Sequence, residues 1–141
     1  ARAHKLFRRK LKKPVAVTAA MDRLMPDHRG YGVSRADIVI EAIFEDIDAK
    51  RALYRQLEPQ MKTDALLATN TSSIPLATLG AELARPGRLV GLHVFNPVAK
   101  MPLLEIICHQ GTSDQAVATA VEFGRKQGKT VPDDRPDAVN R

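Results

Sequence analysis

The chain of 141 residues contains very little cysteine, few aromatic side chains and no long apolar run. Its single cysteine, Cys108, excludes an intrachain disulfide and a zinc site built from several cysteines. No apolar stretch approaches the length that spans a bilayer, and the first residues lack the pattern of a signal peptide. With 44% hydrophobic and 27% charged residues, the composition indicates a folded globular protein, which we expect in the cytoplasm.

Basic residues are unevenly placed along the chain, which has a net charge of +6. Most of the excess lies before Pro14, in Arg2, Lys5, Arg8, Arg9, Lys10, Lys12 and Lys13. Such a cluster can bind a nucleic acid, a membrane surface or a phosphorylated ligand, and it can equally be a solvated helix face. No aromatic platform or base-reading motif accompanies it, so we expect no nucleic-acid binding.

Apolar periodicity and turn residues predict helices that alternate with strands. The predicted helices cover residues 1–13, 45–62, parts of 75–83, and 112–127. Pro14 ends the first of them, and a variable connection follows. The last begins with a capping box at Thr112–Gln115. The predicted strands cover 36–42, 66–70, 88–95 and 103–108. This order is typical of an α/β layered domain, which binds ligands beyond the carboxyl ends of its strands. Three polar clusters follow strands and should converge on that edge, at 41–45, 70–73 and 93–96.

The last two predicted strands carry an ionisable side chain in the middle of an apolar run, His93 in one and Glu105 in the other. An unpaired ionisable group in a buried segment is costly, so we expect Glu105 to accept a hydrogen bond from the His93 ring. That bond would fix the tautomer of the ring and leave its other nitrogen to act as a general base. The alternatives are a structural histidine and an exposed glutamate on an edge strand.

Three segments, in this order, carry a family resemblance: Asn70–Ser73, Gly91–Pro97 and Lys100–Ile107. Together they resemble the NAD-binding domain of the 3-hydroxyacyl-CoA dehydrogenases, most of all the dehydrogenase part of the bacterial fatty-acid oxidation complex alpha subunit. The resemblance implies NAD as cofactor and the oxidation of (S)-3-hydroxyacyl-CoA to 3-oxoacyl-CoA in fatty-acid β-oxidation. It also implies an acyl-CoA substrate and assembly into a homo-oligomer or a fatty-acid oxidation complex.

The same resemblance implies a role for several individual residues. It makes His93 and Glu105 catalytic; it assigns the cofactor to Glu45, Lys50, Ser72 and Asn96, and the substrate to Ser72, Asn96, Asn140, Lys12 and Lys13. By composition alone, these residues could instead have purely structural roles: a carboxylate at a helix start for Glu45, a solvated helical lysine for Lys50 and turn residues for Ser72 and Asn96. The other histidines have no partner pattern, and no cluster has the spacing of a metal site.

Two features of a complete dinucleotide-binding domain are missing from the sequence. There is no G-x-G-x-x-G turn, whose backbone amides hold the pyrophosphate, and no acidic residue that ends a preceding strand. We therefore expect a partial Rossmann-type doubly wound sheet over residues 1–138, without the first strands and the Gly-rich loop. Residues 139–141 would begin the C-terminal helical domain of the relatives, and the fragment would bind NAD poorly and lack activity alone.

Two other functions stay open from the sequence. One is a stand-alone 3-hydroxybutyryl-CoA dehydrogenase. The other is a non-catalytic α/β module that binds a polyanion through its basic N-terminal helix.

Overall fold

The computed structural model describes residues 2–132 of the chain. The chain divides into two compact units, with the boundary between Gly32 and Val33.

The first unit consists of two helices, α1 (Arg2–Lys10) and α2 (Pro14–Asp22). No residue of α1 is buried, and its last turn is basic, which suits the negative end of the helix dipole. The predicted variable connection after Pro14 is wrong, because Pro14 is the first residue of α2. Proline is favoured at that position, since the N–H group that it lacks would have no partner within the helix.

The second unit is a four-stranded sheet with helices, and it confirms the predicted α/β class. Its strands are β1 (Ile38–Glu41), β2 (Leu66–Thr69), β3 (Leu89–Val94) and β4 (Leu104–Ile107). Its α-helices are α3 (Ile47–Leu57), α4 (Leu76–Gly80) and α5 (Asp114–Lys126). Short 3-10 helices cover Tyr31–Arg35, Glu58–Gln60 and Pro86–Arg88.

The strands lie in the order β1-β2-β3-β4, and the first three are parallel. Glu41 lies beside Thr69, and Thr69 lies beside Gly91, so the carboxyl ends of three strands meet at one edge. The predicted convergence of the polar clusters on one edge is thus confirmed. Strand β4 runs antiparallel to β3 and places Glu105 directly opposite His93.

Helices cover both faces of the sheet, as in a doubly wound fold. Leu67 and Leu89 point to the side that packs with α3 and α4, whereas Leu66, Ala68 and Val90 point to the side that packs with α5. All four residues of β2 are buried, as is usual for a central parallel strand.

A glycine lets α5 pack closely on this sheet. A Cβ atom added at Gly124 would lie 2.5 Å from Cγ2 of Val131 and 2.8 Å from Cδ2 of Leu104. No side chain fits at that point.

Three local predictions differ from the structure by a few residues. The helix predicted over 45–62 begins at Ile47 after its cap Asp46, and Pro59 lies in the following 3-10 turn. The cap of α5 is Ser113, whose Oγ accepts from the Ala116 amide, and not Thr112, which hydrogen-bonds the Leu89 carbonyl. Cys108 follows β4 instead of lying within it and is half-buried, and this burial raises the pKa of its thiol.

Candidate active site at the carboxyl edge of the sheet

His93 and Glu105 form the predicted pair across β3 and β4. Nδ1 of His93 lies 2.8 Å from Oε2 of Glu105. The two residues are direct neighbours in the antiparallel register, which puts their side chains on the same face of the sheet. The contact therefore follows from the strand pairing itself and does not depend on a flexible loop.

The pair is fixed on one side and open on the other. The His93 side chain is 33% exposed and that of Glu105 is 45% exposed. The ring of Phe95 lies with its centroid 4.5 Å from that of His93, tilted by 52°, and so restricts the motion of the imidazole. Within residues 2–132, Nε2 of His93 has no hydrogen-bond partner. A ligand that reaches this edge from solvent would meet that nitrogen.

A second polar group lies at the end of β1, where Glu41 is the centre of a buried network. Its Oε1 accepts from Nζ of Lys50 at 2.7 Å and from the Ile43 amide at 2.7 Å. Its Oε2 accepts from the hydroxyls of Tyr54 at 2.9 Å and Thr69 at 2.8 Å. Burial opposes the charge on Glu41, but the hydrogen bonds from Lys50, Thr69, Ile43 and Tyr54 outweigh it and hold the pKa below its usual value.

The same network affects Tyr54. Burial raises the pKa of the phenol well above its usual value. The hydrogen bond with Thr69 lowers this pKa, whereas the hydrogen bond to Glu41 and the negative charge of Glu41 raise it further. Glu41 and its hydroxyl partners were not among the predicted site residues. A carboxylate directly after a buried β-branched run, nine residues before a lysine, was the available signal.

Lys50 is completely buried, so the composition-based alternative of a solvated lysine is wrong. Besides Glu41, its ammonium contacts the Ile43 carbonyl at 3.2 Å and Oε1 of Glu45 at 3.4 Å. Two of the three donors of this ammonium group have a hydrogen-bond acceptor, and Glu45 adds a second carboxylate close to the charge. Lys50 therefore anchors the segment between β1 and α3.

Glu45 is exposed and connects the loops that follow β1 and β2. Its Oε2 accepts from Oγ1 of Thr71 at 2.5 Å and from Oγ of Ser73 at 2.9 Å. The hydrogen bond from Thr71, with that from Ser73 and the nearby Lys50, lowers the pKa of Glu45. The predicted site residue of this loop was Ser72, whereas the residues on either side of it bind Glu45.

The remaining predicted site residues lie in different places. Ser72 and Asn96 are exposed beyond the carboxyl ends of β2 and β3, and Asn96 precedes a cis peptide bond to Pro97. Lys12 and Lys13 are exposed between α1 and α2, in the first unit. Asn140, like the domain start predicted at 139–141, lies outside the described residues.

The described part of the chain lacks two kinds of feature. Residues 2–132 contain no group of three or more His, Cys, Asp or Glu side chains that could hold a metal ion. No helix among them combines the length and the apolar character needed to cross a membrane.

Residues 1–132 match the family of the 3-hydroxyacyl-CoA dehydrogenase NAD binding domain. Fatty acid oxidation complex subunit alpha of Shewanella amazonensis is 42% identical over 134 residues, which are 91% of this chain and 19% of that protein. The subunit alpha of Idiomarina loihiensis is 47% identical over 113 residues, 78% of this chain and 16% of that protein. The chain thus spans about a fifth of the length of the curated relatives it matches.

Solved structures agree with the sequence comparison. The 3-hydroxybutyryl-CoA dehydrogenase of Escherichia coli K12 matches with a TM-score of 0.85 and 32% identity, over 92% of this chain and 28% of that one. The (S)-3-hydroxybutyryl-CoA dehydrogenase PaaH1 of Ralstonia eutropha matches with a TM-score of 0.82 and 31% identity, over 90% of this chain and 45% of that one. The chain belongs to the 3-hydroxyacyl-CoA dehydrogenase family, of which it carries the NAD-binding domain.

Proposed function

We propose that this chain is part of an NAD-dependent enzyme that oxidises (S)-3-hydroxyacyl-CoA to 3-oxoacyl-CoA in fatty-acid β-oxidation. The observation that carries the proposal is the His93–Glu105 pair, which leaves Nε2 of a one-third exposed imidazole without a partner among residues 2–132, at the edge where α/β sheets bind ligands. The names of the relatives, which are subunits of fatty acid oxidation complexes, support the same substrate class.

In this reaction, His93 is the general base. Its Nε2 accepts the proton of the substrate's 3-hydroxyl, while Glu105 accepts a hydrogen bond from Nδ1–H and stabilises the positive charge that develops on the ring. When bound, NAD⁺ would accept the hydride from the carbon that carries this hydroxyl, so that the alcohol becomes a ketone. The partly exposed ring of His93 then returns the proton to solvent.

The residues along this edge fit the nicotinamide half of the cofactor. Ribose hydroxyls need acceptors, and Glu45 already accepts hydrogen bonds from two hydroxyl groups there. Ser72 and Asn96 are exposed after the carboxyl ends of β2 and β3. Their side chains offer hydrogen-bond donors to the carboxamide of the nicotinamide and to the oxygen of the substrate. Lys50 has no exposed surface, so we propose that it acts on the cofactor through Glu45, by holding that carboxylate in place.

The pyrophosphate half of the cofactor needs a Gly-rich turn that these 141 residues do not contain. We therefore propose that the chain works as part of a longer protein, in an oligomer or a fatty acid oxidation complex. In that protein, Lys12 and Lys13 would bind the phosphates of coenzyme A and Asn140 the substrate carbonyl.

Replacing His93 by glutamine in the full-length protein tests the proposal. We expect the rate of acetoacetyl-CoA reduction to fall by roughly 10²- to 10⁴-fold, because general base catalysis is lost, with NADH binding nearly unchanged. His28→Gln is the matched control, since His28 lies exposed in a turn of the first unit. Retention of most activity in the His93 variant would disprove the role of His93.

The rival function, a polyanion-binding module, is favoured by the complete lack of buried residues in α1. It predicts that charge reversal at Arg8, Arg9 and Lys12 abolishes binding to heparin, and that the wild-type protein has no redox activity to lose. The stand-alone 3-hydroxybutyryl-CoA dehydrogenase is distinguished by its substrates: such an enzyme would act on four-carbon acyl-CoA and reject long chains.

A further inference from the structure

Glu45 is held in one position although 43% of its side chain is exposed. Its Oε2 accepts from the hydroxyls of Thr71 at 2.5 Å and Ser73 at 2.9 Å. Its Oε1 lies 3.4 Å from Nζ of Lys50. A free glutamate side chain has several rotamers, and a ligand that binds to it must fix one of them at a cost in entropy. Here the protein itself holds the carboxylate from two sides.

Thr71 is the buried residue among those that hold Glu45 through its Oε2. It is only 4% exposed, whereas Ser73 is exposed. The Oγ1 atom that donates to Glu45 also accepts from the backbone amides of Ile74 at 3.1 Å and Ser73 at 3.4 Å. A hydroxyl group has one donor and two acceptor lone pairs, so this one is fully used. The Thr71 side chain therefore cannot rotate away from Glu45 without losing three hydrogen bonds.

The backbone of Thr71 connects it to the buried network at the end of β2. Its amide donates to Oγ1 of Thr69 at 3.3 Å, and this hydroxyl donates to Oε2 of Glu41. Lys50 joins the other oxygen of Glu41 to Glu45. The contacts form a closed ring of five residues, which are Glu41, Thr69, Thr71, Glu45 and Lys50. Glu45 is the exposed member of this ring, and the other four are buried.

The two oxygens of Glu45 differ in what they can still accept. A carboxylate oxygen accepts about two hydrogen bonds, and Oε2 already has two, from Thr71 and Ser73. A ligand that donates to this carboxylate must therefore use Oε1. The hydroxyl of Thr71 thus determines which oxygen of Glu45 is presented.

We propose that Thr71 is a positioning residue for NAD, which holds Oε2 of Glu45 so that Oε1 is ready to accept a hydrogen bond from a ribose hydroxyl of the cofactor. This inference rests on the proposed function, in which Glu45 binds the nicotinamide half of NAD. It adds a residue that touches neither the cofactor nor the substrate and acts through Glu45.

Titration of the full-length protein with NADH, followed by the fluorescence of the nicotinamide, tests the role of Thr71. Thr71→Val keeps the shape of the side chain and removes the hydroxyl. We expect it to weaken NADH binding by roughly five- to tenfold, because Glu45 is no longer fixed before the ligand binds. With saturating NADH, kcat should stay within about twofold of the wild type, since His93 and Glu105 are unchanged. Thr71→Ser retains the hydroxyl and should restore the wild-type affinity.

Thr112→Val is the matched control. The Thr112 hydroxyl also accepts from a backbone amide, that of His109 at 3.0 Å, and it donates to the Leu89 carbonyl at 3.2 Å. Leu89 is the first residue of β3, so this hydroxyl lies at the opposite end of the strand from the candidate active site. The control should leave the affinity for NADH unchanged. Equal losses of affinity in the Thr112 and Thr71 variants would overturn the proposal, because they would reflect a general loss of stability.

A double-mutant cycle tests whether Thr71 acts through Glu45. Glu45→Ala should weaken NADH binding at least as much as Thr71→Val does, and the double variant should bind NADH as Glu45→Ala alone does. Additive losses, or an unchanged affinity in Glu45→Ala, would overturn the proposal. If far-UV circular dichroism shows that Thr71→Val does not fold, Thr71→Cys replaces it, since a thiol is only a weak donor. Wild-type affinity in the cysteine variant would equally overturn the proposal.

The titration and the enzyme assay fail independently of each other. A wild-type protein that binds NADH but does not reduce acetoacetyl-CoA would disprove the dehydrogenase reaction, and a weakened Thr71→Val would still support the positioning of the cofactor. A wild-type protein that reduces acetoacetyl-CoA, together with a Thr71→Val variant of unchanged affinity for NADH, would disprove the role of Thr71 alone.

Discussion

Two acid–base pairs lie near the carboxyl edge of the sheet, and they differ mainly in their access to water. Nζ of Lys50 and Oε1 of Glu41 are 2.7 Å apart, and both side chains are 0% exposed. Nδ1 of His93 and Oε2 of Glu105 are 2.8 Å apart, but a third or more of each side chain is exposed. The separation is almost equal, whereas the surroundings are opposite.

This difference in exposure explains why the Lys50–Glu41 pair suits stabilising the fold and the His93–Glu105 pair suits catalysis. Glu41 accepts four hydrogen bonds, and Lys50 donates two and is enclosed without exposed surface, so neither is accessible to a ligand. His93 keeps one ring nitrogen without a protein partner within residues 2–132, and that nitrogen can exchange a proton with a substrate. We infer that removing a member of the first pair costs stability, and that removing a member of the second costs activity.

The largest effect is expected for Glu41→Gln. This change leaves the Lys50 ammonium buried beside a neutral amide, with only the exposed Glu45 at 3.4 Å as a counter-charge. Breaking a buried ion pair in this way costs about 3–5 kcal/mol of the free energy of unfolding. Urea denaturation followed by circular dichroism measures it.

A double variant separates the loss of the whole pair from the loss of one partner. Glu41→Leu with Lys50→Met replaces both charges by apolar groups, and it should recover part of the lost stability, because no unpaired charge remains. A Glu41→Gln variant as stable as the wild type would show that the buried pair does not support the fold.

The next effect is expected for Glu105→Gln, measured on the full-length protein. A hydrogen bond to a charged group contributes about 1.5–3 kcal/mol, which corresponds to roughly a 10- to 100-fold loss in rate when it acts on the transition state. We expect kcat to fall by that factor while KM for NADH stays the same. The free energy of unfolding should change by about 1 kcal/mol or less, since the pair is partly exposed. A large loss of stability with unchanged kcat would reverse the roles of the two pairs.

A smaller effect concerns the dependence of stability on pH. The pKa of Glu41 is lowered in the fold, so its contribution is present above the pKa of the unfolded chain and is lost as the pH falls through the folded value. The pKa of Tyr54 is raised, so its contribution is present below the ordinary phenol pKa, about 10, and is lost as the pH rises beyond it.

The buried network therefore supports the fold between these two limits. We expect the stability difference between the wild type and Glu41→Gln to be constant near neutral pH and to shrink in acid, below the ordinary glutamate pKa of about 4.3. Urea denaturation at a series of pH values measures this difference. A difference that grows in acid would contradict a lowered pKa at Glu41.

Much of the fold was predictable because it depends on local signals. The four strands lie within the predicted ranges, since each is a short apolar run bounded by turn residues. The contact of His93 with Glu105 was predictable because each was a single ionisable residue in an apolar strand. The catalytic role of this pair stays a prediction.

The buried network was not predictable, because its members lie far apart in the chain. Tyr54 and Thr69 follow Glu41 by 13 and 28 residues, and only packing of α3 on the sheet brings them together. The burial of Lys50 depends on the same packing. The start of α2 was missed for another reason: Pro14 can end one helix or begin the next, and sequence alone does not distinguish the two.

The smallest effect is expected for a third pair, Glu122 and Lys126, one turn apart on the outer face of α5. Their charged atoms are 2.8 Å apart, as in the His93 pair, but the side chains are 66% and 72% exposed. Attraction between charges in water is weak and is offset by the entropy lost when two long side chains are fixed. We expect Glu122→Gln to leave the urea midpoint within experimental error of the wild type.

The Glu122 variant makes a test of exposure possible, because the charged atoms of all three pairs have nearly the same separation, whereas the exposure of the side chains differs. If burial determines the cost of breaking a pair, the loss of stability should fall in the order Glu41→Gln, Glu105→Gln, Glu122→Gln. A Glu122 variant as destabilised as the Glu41 variant would mean that separation, and not burial, sets the cost. The assignment of support to one pair and chemistry to the other would then lose its physical basis.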